Sequence, residues 1–128
     1  MEILVVDDSK LMREMMIACL RGEGGLGFTQ AASGLEAIEQ LSMKPFDLVL
    51  LDLNMPDIGG YEVVEFIRAQ DRMRAVPILI VTTRGDDNSR ARVLEAGASS
   101  YLTKPFTPEG LLREVRSLLP RAGRNAAP

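Results

Sequence analysis

The chain is 128 residues long, 46% hydrophobic and 26% charged, with a formal net charge of −3. That size and balance fit one globular domain and leave no cationic excess for nucleic acid or an anionic membrane. A single cysteine, Cys19, excludes an internal disulfide, and the absence of histidine excludes imidazole acid–base catalysis, histidine metal ligands and a phosphohistidine on this chain.

Ile3-Leu4-Val5-Val6 reads as a buried strand running into Asp7-Asp8. Ser9 is a good N-cap, and Leu11, Met12, Met15, Met16, Cys19 and Leu20 follow at helical spacing. Gly22 to Gly27 holds four glycines and reads as a loop. Phe28 to Ala32 predicts a short second strand. Gly34 opens a second helix with Leu35, Ala37, Ile38 and Leu41 on one face, broken by Pro45. Leu48-Val49-Leu50-Leu51 is a third strand, delivering Asp52 at its carboxyl end before Asn54, Met55 and Pro56. After a turn at Asp57, Gly59 and Gly60, a third helix spans about Tyr61 to Ala69. Pro77 to Thr82 is a fourth strand, with proline at its first residue where no ladder donor is lost. Asp86 to Glu95 predicts a mostly polar fourth helix, stopped by Gly97. Ser100 to Thr103 is a fifth strand, and Lys104-Pro105 a tight turn suited to a cis peptide. The last helix starts near Pro108 and buries Leu111, Leu112, Val115, Leu118 and Leu119. Residues 121–128 read as a flexible tail beyond a domain of residues 1–120.

Strand and helix alternate five times, which predicts an α/β fold: a doubly wound, five-stranded parallel sheet with helices on both faces. No apolar run is long enough to span a bilayer, and the start of the chain lacks the pattern of a signal peptide, so a cytoplasmic location is expected. No effector or second catalytic domain is expected after the fifth helix.

Chemistry in open α/β sheets collects at the carboxyl ends of the strands. Asp7, Asp8 and Asp52 converge there if the first and third strands are neighbours. Three carboxylates in one cleft repel one another, and a divalent cation removes that conflict. Oxygen ligands without histidine or cysteine favour a hard ion, Mg²⁺. Taken alone, Asp7-Asp8 could equally cap the first helix. Thr82 alone reads as a turn residue, and Lys104 alone as a solvated cation. Together with Asp52 at the same edge they suit phosphoryl transfer to a carboxylate: Lys104 and the metal supply positive charge, Thr82 a neutral donor, and no general base is required.

The set Asp7-Asp8, Asp52, Thr82 and Lys104-Pro105, in this order, resembles the receiver domain of bacterial two-component response regulators, from about Ile3 to Leu119. Asp52-Leu53-Asn54-Met55-Pro56 followed by Gly60 is the most specific part; Ala96-Gly97-Ala98 and Lys104-Pro105-Phe106 add to it. The absence of an attached effector makes the chain similar to single-domain, CheY-like regulators. The resemblance implies a flavodoxin-like sheet of order 2-1-3-4-5 with five helices. It implies Asp52 as phosphoacceptor, served by a sensor histidine kinase or a histidine phosphotransfer protein. It implies Mg²⁺ on Asp7, Asp8, Asp52 and the backbone carbonyl of Asn54, with Thr82 as switch hydroxyl, Lys104 on the phosphoryl oxygens and Tyr101 as the aromatic switch residue. Output would pass through the fourth helix, fifth strand and fifth helix to a flagellar motor switch or another motility or signalling protein. The resemblance also implies that Asn54 and Arg84 occupy positions that tune phosphate lifetime, and the Thr83 methyl is expected to narrow access to Asp52. Ala98-Ser99-Ser100-Tyr101 lacks the paired acids of one dimerising, DNA-binding branch, which favours a monomer.

Three rivals stand beside this reading. An aspartate-nucleophile phosphatase wants a second carboxylate two residues after the nucleophile, where this chain has Asn54. A flavin-binding module wants a hydroxyl- and glycine-rich phosphate loop, where this chain has Asp7-Asp8. A phosphorylation-independent interaction module, or a phosphate sink, would keep the fold and differ only in use.

Overall fold

The computed structural model describes residues 1–119. Strands β1 (Glu2–Val6), β2 (Gly27–Ala31), β3 (Leu48–Leu51), β4 (Ile78–Thr82) and β5 (Ser100–Thr103) alternate with helices α1 (Lys10–Leu20), α2 (Gly34–Met43), α3 (Gly60–Ala69), α4 (Asp87–Ala96) and α5 (Pro108–Leu118). All strand pairs are parallel, in the order β2-β1-β3-β4-β5. This is the expected doubly wound, flavodoxin-like arrangement. A short 3-10 turn at Asp71–Met73, unforeseen in the sequence, links α3 to the approach of β4. The tail expected at residues 121–128, and the helix stop expected at Pro120, lie outside the described residues.

The central strands are apolar throughout because both of their faces are covered. Alternate residues feed two cores. Leu4, Val6, Val49, Leu51, Ile78 and Ile80 meet α2, α3 and α4 through Leu41, Val63, Val64, Ile67 and Val93. Ile3, Val5, Leu48, Leu50, Leu79 and Val81 meet α1 and α5 through Met16, Ile17, Leu20, Leu111 and Val115. Only Val93 is fully buried on α4, the thin apolar face expected of it.

The helix stripes are narrower than the apolar pattern implied. Leu11, Met15 and Leu35 are exposed. The buried stripe of α1 runs through Met16, Ile17 and Leu20. At about 100° per residue, Leu11 and Met15 turn away from it. Cys19, part of the apolar helical pattern of α1, is half-buried at the margin of the α1–α5 core, and burial raises its thiol pKa. Leu112 and Leu118 are likewise only partly buried.

Capping follows the local residues. Ser9, Ser33, Asp86 and Thr107 each accept a backbone N–H in the first turn of their helix. Gly97 ends α4 at φ 124°, a backbone conformation that disfavours a side chain. The Lys104–Pro105 peptide is cis, as the tight turn suggested.

Candidate functional site

β1 and β3 are adjacent, with Val6 opposite Leu51, so the residues that follow them emerge together at the carboxyl edge of the sheet. The Asp52 N–H donates to the Val6 carbonyl at 3.1 Å, and the Asp7 N–H donates to the Ala31 carbonyl at 3.1 Å. These bonds extend the ladders just past the strands and hold both aspartates rigidly. Asp7 and Asp52 are buried and Asp8 is exposed. Ligand oxygens of all three lie within 4.8 Å of one another.

β5 carries Lys104 to the same place. The Lys104 N–H donates to the Thr82 carbonyl at 2.8 Å. Its ammonium Nζ lies 2.6 Å from Asp7 Oδ2 and 3.3 Å from Asp52 Oδ2, with the lysine side chain 10% exposed. A cation this enclosed offsets part of the carboxylate charge where water cannot. The remaining oxygens are also engaged: Asp7 Oδ1 accepts from the Ser9 N–H at 2.9 Å, and Asp52 Oδ1 from the Asn54 N–H at 3.2 Å. Arg13 of α1 adds a further bond, donating to the Asp7 carbonyl at 2.7 Å.

Thr82 is fully buried at the end of β4, and its Oγ1 accepts from the Arg84 N–H at 3.4 Å. Tyr101 is buried on β5 and donates its hydroxyl to the Arg84 carbonyl. Burial, followed by the negative charge of Asp86, pushes the Tyr101 phenol above its ordinary value. Arg90 of α4 stacks over the Tyr101 ring at 5.5 Å, and Arg92 over the Tyr61 ring of α3 at 3.9 Å. A cleft of about 550 Å³ opens beside the carboxylates, with Asp8, Asn54, Tyr61, Arg84 and Arg92 on its walls.

Residues 3–116 match the model of the response regulator receiver domain family. The chain is a response regulator receiver domain. It is 37% identical to the chemotaxis protein CheY1 of Helicobacter pylori over 120 residues, covering 93% of this chain and 97% of that protein. It is 37% identical to the transcriptional regulatory protein ResD of Bacillus subtilis over 125 residues, where it spans only 50% of the relative. Among solved structures, the chemotaxis response regulator CheY4 of Vibrio cholerae matches with a TM-score of 0.85 at 35% identity, covering 92% of this chain and 98% of that one. A receiver domain is a phosphotransfer unit of two-component signalling; its own phosphorylation and dephosphorylation are its chemistry, not turnover of a separate substrate.

This receiver domain brings Asp7, Asp8, Asp52 and Lys104 into one cluster. Thr82 stands one strand away, joined to Tyr101 through the backbone N–H and carbonyl of Arg84. The carboxylate cluster fits a divalent cation: three convergent carboxylates, with no histidine or cysteine ligand, suit a hard oxygen-seeking ion. The Asn54 side chain bridges to Thr83 Oγ1 at 3.4 Å, so Thr83 faces the acceptor loop.

Three side-chain anchors of the surrounding fold were not legible in the sequence. Asp57, read there as a turn residue, holds the first turn of α2 through the N–H groups of Gly34 and Leu35. Arg68 donates to the carbonyls of Gly97, Arg74 and Val76. Arg13 locks the Asp7 backbone. An aspartate in a turn has a local signal; a lone arginine on a helix has none, because its partners are set by the packing of other elements.

Proposed function

We propose that this receiver accepts a phosphoryl group on Asp52 from a phosphohistidine of a sensor histidine kinase or a histidine phosphotransfer protein. An Asp52 carboxylate oxygen attacks phosphorus in line. The bond from phosphorus to the donor imidazole breaks, and its electron pair leaves with the imidazole nitrogen. The product is an acyl phosphate. Its hydrolysis, by water attack at phosphorus, returns the carboxylate and inorganic phosphate.

Mg²⁺ held by Asp7, Asp8, Asp52 and the Asn54 backbone carbonyl would supply positive charge against the phosphoryl oxygens. Lys104 does the same from the protein side, moving from its carboxylate partners to the incoming group. Thr82 supplies a neutral hydroxyl donor. The acyl phosphate adds roughly −1.5 to −2 charges and shifts an existing equilibrium by its differential contacts with Lys104 and Thr82. Tyr101 carries that shift to the face formed by α4, β5 and α5, whose partner is a flagellar motor switch or another motility or signalling protein. The working unit spans residues 1–120, acts as a monomer and resides in the cytoplasm; no described helix is long and apolar enough to cross a membrane.

The observation that carries this reading is the enclosed contact of Lys104 with both Asp7 and Asp52 at the edge where Asp8 also stands. It is tested with acetyl phosphate and magnesium, followed by intact mass measurement. The expected result is one phosphoryl increment, released by hydroxylamine and absent in Asp52→Asn. No increment, or an increment that survives Asp52→Asn, overturns the assignment.

A further inference from the structure

We propose that Asp57 is a positioning residue for the metal-bearing side of the acceptor site, acting by tying the tip of the loop between β3 and α3 to the first turn of α2. This rests on the reading above, in which the carboxylate cluster and the Asn54 carbonyl hold Mg²⁺.

The loop carries both Asp52 and Asn54, and its base is closed tightly. The Asn54 N–H donates to Asp52 Oδ1 at 3.2 Å, and the Gly60 N–H to the Leu53 carbonyl at 3.2 Å. A Cβ at Gly60 would lie 2.4 Å from the Asp52 carbonyl oxygen, so the start of α3 is in backbone contact with the acceptor residue. The tip is held by a different element. Asp57 Oδ1 accepts from the Gly34 N–H at 3.1 Å, and Oδ2 from the Leu35 N–H at 3.0 Å. Contact is again close, because a Cβ at Gly34 would lie 2.3 Å from the Ile58 carbonyl oxygen.

α2 already has its own local cap. Ser33 Oγ accepts from the Glu36 N–H at 3.1 Å, and Glu36 Oε1 from the Ala32 N–H at 3.0 Å. Of the two N–H groups Asp57 accepts from, that of Leu35 is exposed at the helix end, where water could satisfy it, while Gly34 is buried against the loop itself. What Asp57 adds is therefore a fixed position for the loop. The pairing is a carboxylate at a helix N-terminus, and its charge is retained at neutral pH. With the tie in place, Asn54 is ordered before any ion arrives. Without it, ion binding must also order the loop, and affinity falls.

The test is a magnesium titration of the full chain followed by amide NMR, comparing wild type, Asp57→Ala, Asp57→Asn and Ser33→Ala. Wild type should show saturable shifts at Asp8, Asp52 and Asn54. Asp57→Ala should bind about 10-fold more weakly, the scale seen when a partner behind a metal ligand is lost. Asp57→Asn, which keeps one acceptor oxygen, should fall between. Ser33→Ala removes the local cap of the same helix, so it should lower thermal stability and leave the magnesium affinity unchanged. Unchanged affinity in both Asp57 variants overturns the proposal. So does an affinity loss in Ser33→Ala that matches the Asp57 variants at equal loss of stability, since that makes Asp57 a helix cap only. A wild-type chain with no saturable response overturns the metal reading itself, and this assignment with it.

Discussion

Tyr101 donates its hydroxyl to the carbonyl oxygen of Arg84. The N–H of the same residue donates to Thr82 Oγ1 at 3.4 Å, so the Arg84 backbone bridges the end of β4 to an aromatic side chain on β5. A Thr82 hydroxyl that turns toward a phosphoryl group releases one half of that bridge. Tyr101→Phe should cost about 1 kcal/mol, the worth of one ordinary hydrogen bond. Thr82→Ala and Tyr101→Phe should be non-additive, with a coupling of about 0.5 kcal/mol or more. Urea unfolding of the two single variants and the double variant measures it; strict additivity would separate the two residues.

Lys104 is the enclosed cation between Asp7 and Asp52. Removing one partner of a buried charge cluster leaves the others uncompensated, so Lys104→Ala should destabilise the metal-free protein by about 3 kcal/mol. Magnesium should restore part of that loss. In wild type, magnesium at a hundredfold over its dissociation constant should add about 2.7 kcal/mol. That gain should shrink sharply in Asp8→Asn. Chemical denaturation with and without EDTA gives all of these values, and a stability indifferent to magnesium would refute the prediction.

Arg68 joins α3 to the segment before β4 and to the end of α4. Its Nε donates to the Gly97 carbonyl at 2.9 Å, and Nη1 to the carbonyls of Arg74 and Val76 at 2.7 Å each. Burial lowers the guanidinium pKa from its ordinary value, yet it stays charged. Arg68→Ala removes the donor from the part-buried Gly97 and Val76 carbonyls and should cost about 2–3 kcal/mol. Arg68→Lys should recover only part, because one ammonium cannot reproduce the planar fork. Thermal melts of the two variants decide the order, and equal stability of Lys and Arg would refute it.

Asp57 should show its contribution in acid. Partial desolvation raises its pKa, but hydrogen bonds from the N–H groups of Leu35, Ile58, Gly34 and Asp57 itself outweigh that and hold it at about 2. In the unfolded chain an aspartate titrates near about 3.9. The folded value is depressed, so the contribution is complete above about pH 4 and disappears as pH falls through about 2. The melting-temperature gap between wild type and Asp57→Asn should be widest at neutral pH and close across that interval. A gap of constant size at every pH would count against it.

Strand and helix order could be read from the chain because each signal is local. Ile3 to Val6, Leu48 to Leu51 and Ile78 to Val81 are apolar over several consecutive residues, as strands covered on both faces must be. Gly97 and Pro45 punctuate helices through their own backbone chemistry. The strand-end positions of the candidate site residues were legible for the same reason: Asp7, Asp52 and Lys104 directly follow β1, β3 and β5, and Thr82 ends β4, at the edge where the chain turns.

Partnership was decided only in three dimensions. Nothing in the pattern around Asp7 and Asp8 tells which is buried; the ladder past β1 turns Asp7 inward under Lys104 and leaves Asp8 exposed. Leu11 and Met15 carry the same apolar signal as Met16 and Leu20, yet they lie on the face of α1 turned away from the buried Met16–Ile17–Leu20 stripe. Asp57 and Arg68 find their partners on other elements, 22 and 29 residues away in the case of Leu35 and Gly97. Local sequence governs backbone propensity and charge, but a long side chain bonds to whatever backbone the packing of distant elements places within its reach.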